Sequence, residues 1–101
     1  MIVFASPLYF FSWPTQLKSV IDRLYPYTVE KSERSLTGKE CVLLLAAATD
    51  VENEIKGVQE SYRILAEYMR WHSVGEVIAY DKKGDVRNTA YLEQAKELGF
   101  R

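Results

Sequence analysis

The residues best suited to chemistry in this chain are the run Leu8-Tyr9-Phe10-Phe11-Ser12-Trp13, in which four aromatic rings lie within five positions. They follow an apolar stretch, Met1-Ile2-Val3-Phe4-Ala5, and the pair Ser6-Pro7. Pro14 then opens a helical pattern that carries Gln16-Leu17-Lys18 and Ile21-Asp22-Arg23. Strand, loop and helix in that order form the carboxyl edge of a parallel sheet, where open α/β folds place their ligands. Aromatic side chains in such a loop offer flat faces on which a planar ring system can stack. The same rings could instead pack beneath the following helix or against a second subunit. In an irregular loop, sequence does not separate inward from outward.

Other chemistry is excluded more readily. The chain's one histidine, His72, is placed by periodicity in the last turn of the second helix, where the helix dipole and solvent favour a structural or neutral role. No second His or Cys stands at ligand spacing, so no metal site is expected. Cys41, the sole cysteine, opens an apolar strand and reads as a small core residue in a reducing, cytoplasmic compartment. No Ser/His/Asp arrangement is supported, and no catalytic acid or base is assigned. Lys18 and Asp22, four apart, form an exposed pair worth little. Lys82, Lys83 and Arg87 stand beside Asp81 and Asp85 in what reads as a solvated turn. A net charge of -1 with both signs interspersed gives no field for polyanions, so neither nucleic acid nor a membrane surface is an expected partner. No window approaches the roughly 18 apolar residues of a membrane span.

The elements that must position the aromatic run follow from periodicity. With 101 residues, 48% hydrophobic and 27% charged, one globular domain over 1–101 is expected. Residues 1–5 are apolar without alternation, the pattern of a strand covered on both faces. A helix follows, with Ser12 or Trp13 as its cap region and Leu17, Val20, Ile21 and Leu24 on one stripe, and Pro26 ends it. Residues 27–40 read as a long loop. Residues 41–48 form a second apolar strand. Thr49-Asp50-Val51-Glu52 has the spacing of a capping box that would open a second helix, with the stripe Ile55, Val58, Tyr62, Leu65 and Met69 running to about His72. Gly75 leads into a short third strand, 77–80, and 81–85 is a turn. A last helix runs from about Asn88 to Gly99. Strands alternating with helices give an α/β domain: a three-layer α/β/α arrangement around a three-stranded parallel sheet.

Ser6-Pro7-Leu8-Tyr9, the aromatic loop, Gln16-Leu17-Lys18 and Ile21-Asp22-Arg23 resemble the third strand, loop and helix of the flavodoxin-like NAD(P)H-dependent FMN reductases, including the iron-sulfur flavoprotein branch. The similarity continues through 41–50, through 68–80 with Trp71, Val74, Gly75 and Glu76, and through Asp85, Asn88 and 92–99. It implies a partial flavodoxin-like sheet and FMN as cofactor, with NAD(P)H as reductant. By resemblance, Ser6, Pro7, Leu8, Tyr9, Phe10, Phe11, Ser12 and Trp13 lie along the isoalloxazine ring. Ala47, Ala48, Thr49 and Asp50 lie on its other side.

Family members begin with a strand and a Ser/Gly/Asn-rich turn whose backbone N–H groups hold the FMN phosphate. The resemblance starts after that segment. The expectation is therefore a truncated domain whose isolated chain binds FMN weakly or not at all. Three readings result: an FMN-dependent oxidoreductase portion, a non-enzymatic dimeric remnant without cofactor, and a split flavoprotein completed by another polypeptide. In the strand order 2-1-3-4-5 the first strand here becomes an open, apolar edge beside the ligand crevice. A homodimer through residues 1–5, or through the half-covered sheet face, is expected.

Overall fold

The computed structural model describes residues 1–28, 33–80 and 90–99. Three strands, β1 (Ile2–Pro7), β2 (Glu40–Ala47) and β3 (His72–Tyr80), pair in parallel in the order β1-β2-β3. Helices α1 (Thr15–Asp22), α2 (Lys56–Tyr68) and α3 (Ala90–Gly99) alternate with them. This is the expected partial flavodoxin-like α/β arrangement. Parallel strands require crossovers, which α1 and α2 supply on one face, while α3 packs on the other.

β2 is central because its run Cys-Val-Leu-Leu-Leu-Ala-Ala is apolar on both sides. Cys41, Leu43, Leu45 and Ala47 join the core beneath α2, packing with Ile55, Val58, Tyr62 and Met69. Leu44 and Ala46 face the other way, toward Val77, Ala79, Tyr91 and Leu92. β1 differs. Phe4 and Ser6 are buried, but Val3 is 51% exposed and Ala5 is exposed, so β1 is covered on one face rather than on the expected two. Phe4 gathers the core: its ring centroid lies 6.0 Å from Trp13, 5.9 Å from Tyr62 and 5.9 Å from Trp71.

Several boundaries differ from expectation for local reasons. β1 runs on through Ser6 and Pro7, and Leu8 N–H extends the ladder to Ala46 O at 2.8 Å. The capping box does not form. Thr49 Oγ1 instead accepts from Val51 N–H at 3.1 Å, a short Ser/Thr turn, and a 3₁₀ turn at Glu52–Glu54 delays α2 to Lys56. α2 stops at Tyr68, so His72 opens β3 rather than closing the helix. The stop is a Schellman motif: Trp71 N–H bonds Ala66 O at 2.8 Å, Arg70 N–H bonds Glu67 O at 3.1 Å, and Arg70 takes the left-handed φ of 55° usually given to glycine. Gly75 lies inside β3, where it takes Leu98 of α3: a Cβ there would meet the Leu98 methyls at 2.8 to 3.0 Å. Register shifts by one at Cys41/Val42, leaving Val74 as a bulge between Ser73 and Gly75. That shift puts Ser73 and Glu76 on the same side, toward α2. Asn88 and the 81–85 turn lie outside the described residues.

Polar groups under α2 are paired. The Tyr62 hydroxyl lies 2.7 Å from Ser73 Oγ and 3.3 Å from Cys41 Sγ, while Glu76 accepts from Gln59 and Arg63. Lys18 and Asp22 form the exposed pair anticipated from spacing. Among the described residues no helix is long and apolar enough to cross a membrane.

Phe4→Ala is expected to lower unfolding free energy by about 3 to 5 kcal/mol, because the ring leaves a cavity between three aromatic neighbours; urea denaturation measures it, and a loss below about 1 kcal/mol would contradict the central placement of that ring. Burial pushes the Cys41 thiol above its ordinary 9.0 and the Tyr62 phenol above its ordinary 10.0. The unfolded chain therefore sheds these protons first, so stability should be flat below pH 9.0 with respect to these two groups and fall above it. Denaturation midpoints for Tyr62→Phe should fall less steeply in that range.

Candidate functional site

The site is built where β1 and β2 end on the same edge of the sheet. After Leu8 the chain reverses: Tyr9 N–H bonds Ser12 O and Ser12 N–H bonds Tyr9 O, each at 3.1 Å, with Phe10 and Phe11 between them at φ 45° and 67°. Two central residues with positive φ make this a type I′ turn, the geometry that Asn-Gly normally supplies. Each Phe carries a Cβ into the left-handed region, which costs on the order of 1 kcal/mol. Phe10 recovers none of that cost by burial, and Phe11 only part of it. Phe10 is 96% exposed and Phe11 57% exposed, and they touch edge to face at 6.5 Å between centroids.

Trp13 fixes the far end of the loop. It is buried against Phe4, and its Nε1–H donates to Ser61 Oγ of α2 at 3.0 Å. The turn lies over the start of α2, where a Cβ on Gly57 would stand 3.4 Å from Phe11 O. On the other side the β2 loop brings Ala48 and Thr49, followed by the turn that carries Glu54. Leu8, Phe10, Phe11, Ala48, Thr49 and Glu54 line an open depression of about 230 Å³.

Of the residues singled out in the sequence, Leu8, Phe10, Phe11, Ala48 and Thr49 come together in this depression. Tyr9 and Ser12 form the exposed base of the turn. Pro7 ends β1 and is exposed, and Asp50 is exposed in the second loop. Ser6, Trp13 and Ala47 are buried, with Ser6 Oγ donating to Pro7 O at 2.8 Å. Glu54 was not anticipated; its only sequence signal is an acidic position just before the apolar stripe of α2.

The lining suits one kind of ligand surface. Two aromatic faces, a leucine and an alanine accept a flat, largely apolar ring. Among the described lining residues the single charge is the carboxylate of Glu54, which with nearby Asp50 and Glu52 disfavours an anion. Pro14, the N-cap of α1, has no N–H to offer a phosphate. The residues present therefore fit the ring of a flavin and do not fit its phosphate. No group of His, Cys, Asp and Glu able to hold a metal occurs among the described residues.

A profile for the flavodoxin-like fold matches residues 1–98. The chain belongs to the flavodoxin-like fold family. In this family's sheet topology the ligand crevice lies outside the carboxyl ends of the strands, where the depression is found. Among solved structures, this flavodoxin-like chain is similar to a protein titled thermophilic tryptophan halogenase from Streptomycin violaceusniger, at 21% identity and TM-score 0.76, over 99% of this chain and 66% of that one. It is similar to the Trp repressor binding protein from Bacillus subtilis at 20% identity and TM-score 0.75, over 95% and 65%. It is also similar to general stress protein 14 from Treponema denticola, solved in complex with FMN, at 17% identity and TM-score 0.64, over 97% and 62%. The chain thus spans 62 to 66% of the length of these structures. No curated protein matches it.

Replacing the strained pair, Phe10→Asn with Phe11→Gly, is expected to raise the melting temperature by several degrees, since about 1 kcal/mol or more of backbone strain is relieved. A lower melting temperature would show that the exposed rings contribute packing that outweighs the strain.

Proposed function

We propose that this chain supplies the ring-holding part of an FMN site in an NAD(P)H-dependent oxidoreductase of a reducing, cytoplasmic compartment. The observation that carries the proposal is the pair of exposed rings, Phe10 and Phe11, held at left-handed backbone angles over the depression. Strain kept at aromatic positions that stay largely exposed points to a surface kept for a ligand. The likeness to a structure that contains FMN supports the same reading.

In this reading one of the two rings stacks on the isoalloxazine face and the other, perpendicular to it, packs edge-on, while Leu8 and Ala48 keep water from it. Thr49 is held by its bond to Val51 N–H, so the second wall is already ordered. Bound FMN would supply two-electron chemistry with a nicotinamide, which needs orientation from the protein rather than a side-chain nucleophile. Glu54 turns the anionic tail away from the depression. The phosphate must then be held by groups other than those lining this site, and affinity for FMN through this surface alone is low.

Titrating FMN with protein and following quenching of flavin fluorescence tests the proposal. Wild type is expected to quench saturably, and Phe10→Ala with Phe11→Ala to weaken binding about tenfold or more, from about 0.5 to 1.5 kcal/mol per aromatic contact. Absence of any response by wild type, or an unchanged response in the double variant, would sink it.

A further inference from the structure

The start of α1 offers the aromatic turn no side-chain anchor, since its N-cap is Pro14 and no side chain caps it. The turn is tied to α2 instead. Trp13, the first residue after it, lies buried beside Phe4 and donates its Nε1–H to Ser61 Oγ at 3.0 Å. One helical turn before Ser61, on the same face of α2, stands Gly57, where a Cβ would already touch Phe11 O at 3.4 Å. The middle and the exit of the turn thus both rest on one helix face. The other side of the depression leads into the same helix, because Glu54 ends the 3₁₀ turn just before α2 begins at Lys56.

We infer that Ser61 is a positioning residue: by accepting the Trp13 indole N–H it latches the Phe10-Phe11 turn in place opposite Ala48 and Thr49. That the latch serves a planar ring rests on the flavin reading; the latch itself is a property of the unliganded protein. Packing alone does not do this work. The indole meets Phe4 at a tilt of 41° rather than flush, so apolar contact sets how deep it lies and leaves it free to rock. The hydrogen bond removes that freedom, one residue from the Tyr9–Ser12 pair that closes the turn. A tether is needed there because Phe10 and Phe11, at φ 45° and 67°, gain by leaving the left-handed region.

Ser61 is exposed, so without its hydroxyl water can satisfy the indole N–H. Water is not fixed to α2. Loss of the bond therefore costs the fold little and the turn its place.

Amide spectra of the unliganded protein, with riboflavin titrations followed by flavin fluorescence, test the latch. Ser61→Ala should shift the amides of Tyr9 to Ser12, speed exchange of the paired Tyr9 and Ser12 amides about tenfold and weaken riboflavin binding about fivefold, with little change in melting temperature. Ser61→Thr keeps the hydroxyl and should behave as wild type. Trp13→Phe removes the donor but keeps a ring beside Phe4, and adding Ser61→Ala to it should change nothing further. Glu67→Gly weakens α2 away from the turn, so it should lower the melting temperature and leave the turn amides in place. Turn amides unmoved by Ser61→Ala, no recovery in Ser61→Thr, a further loss on adding Ser61→Ala to Trp13→Phe, or turn amides moved as much by Glu67→Gly would each overturn the inference. So would a Ser61→Ala protein that binds riboflavin as wild type does where Phe10→Ala with Phe11→Ala does not. No riboflavin response by wild type, or one unchanged in that double variant, would sink the flavin reading alone, and the turn amides would still decide the latch.

Discussion

The contact on which the rest depends is Phe4 among Trp13, Tyr62 and Trp71. These four rings belong to β1, the loop before α1, the middle of α2 and the link into β3, so one buried cluster ties every segment on that face of the sheet. Its position on β1 matters as much as its size. A ring at Phe4 draws Trp13 inward, and Trp13 is then held by Ser61. With its far end anchored, the short segment between Leu8 and Trp13 has too little length to wander. It closes as a two-residue turn, and the rings of Phe10 and Phe11 are left outside.

Parallel strand direction does the remaining work of assembly. Because β1 and β2 run the same way, the segments that leave them emerge side by side, and the aromatic turn faces Ala48 and Thr49 across an open depression. In the proposed reading the acidic character of the second segment favours a neutral ring over a dianion. β1 serves this surface directly, since its carboxyl end leads into the aromatic turn.

Much of this was legible from residue types. Continuous apolar runs marked β1 and β2, Pro14 marked the start of α1, and the stripe from Ile55 to Met69 marked α2 and its buried face. The failures have particular causes. The type I′ turn sits on Phe-Phe, with no glycine or asparagine to announce it. The helix stop at Arg70 likewise uses a left-handed residue with a side chain, so the stripe appeared to run on to His72. The bulge at Val74 hides the alternation of β3, which is why its first half went unread. Thr49 and Glu52 have the spacing of a capping box, but the nearer Val51 N–H captured the threonine hydroxyl. Trp13 and Phe10 are indistinguishable in a loop sequence; only the cavity beside Phe4 decides that the first goes in and the second stays out.

Ring recognition by the aromatic turn is the central claim, and amide chemical-shift mapping on adding riboflavin, which has the ring without the phosphate, tests it most directly. The account predicts that the shifts concentrate on Leu8 to Ser12 and on Ala48 and Thr49, and that FMN moves the same set no more strongly. Shifts absent there, or concentrated on other surfaces such as α3 and β3, would contradict it.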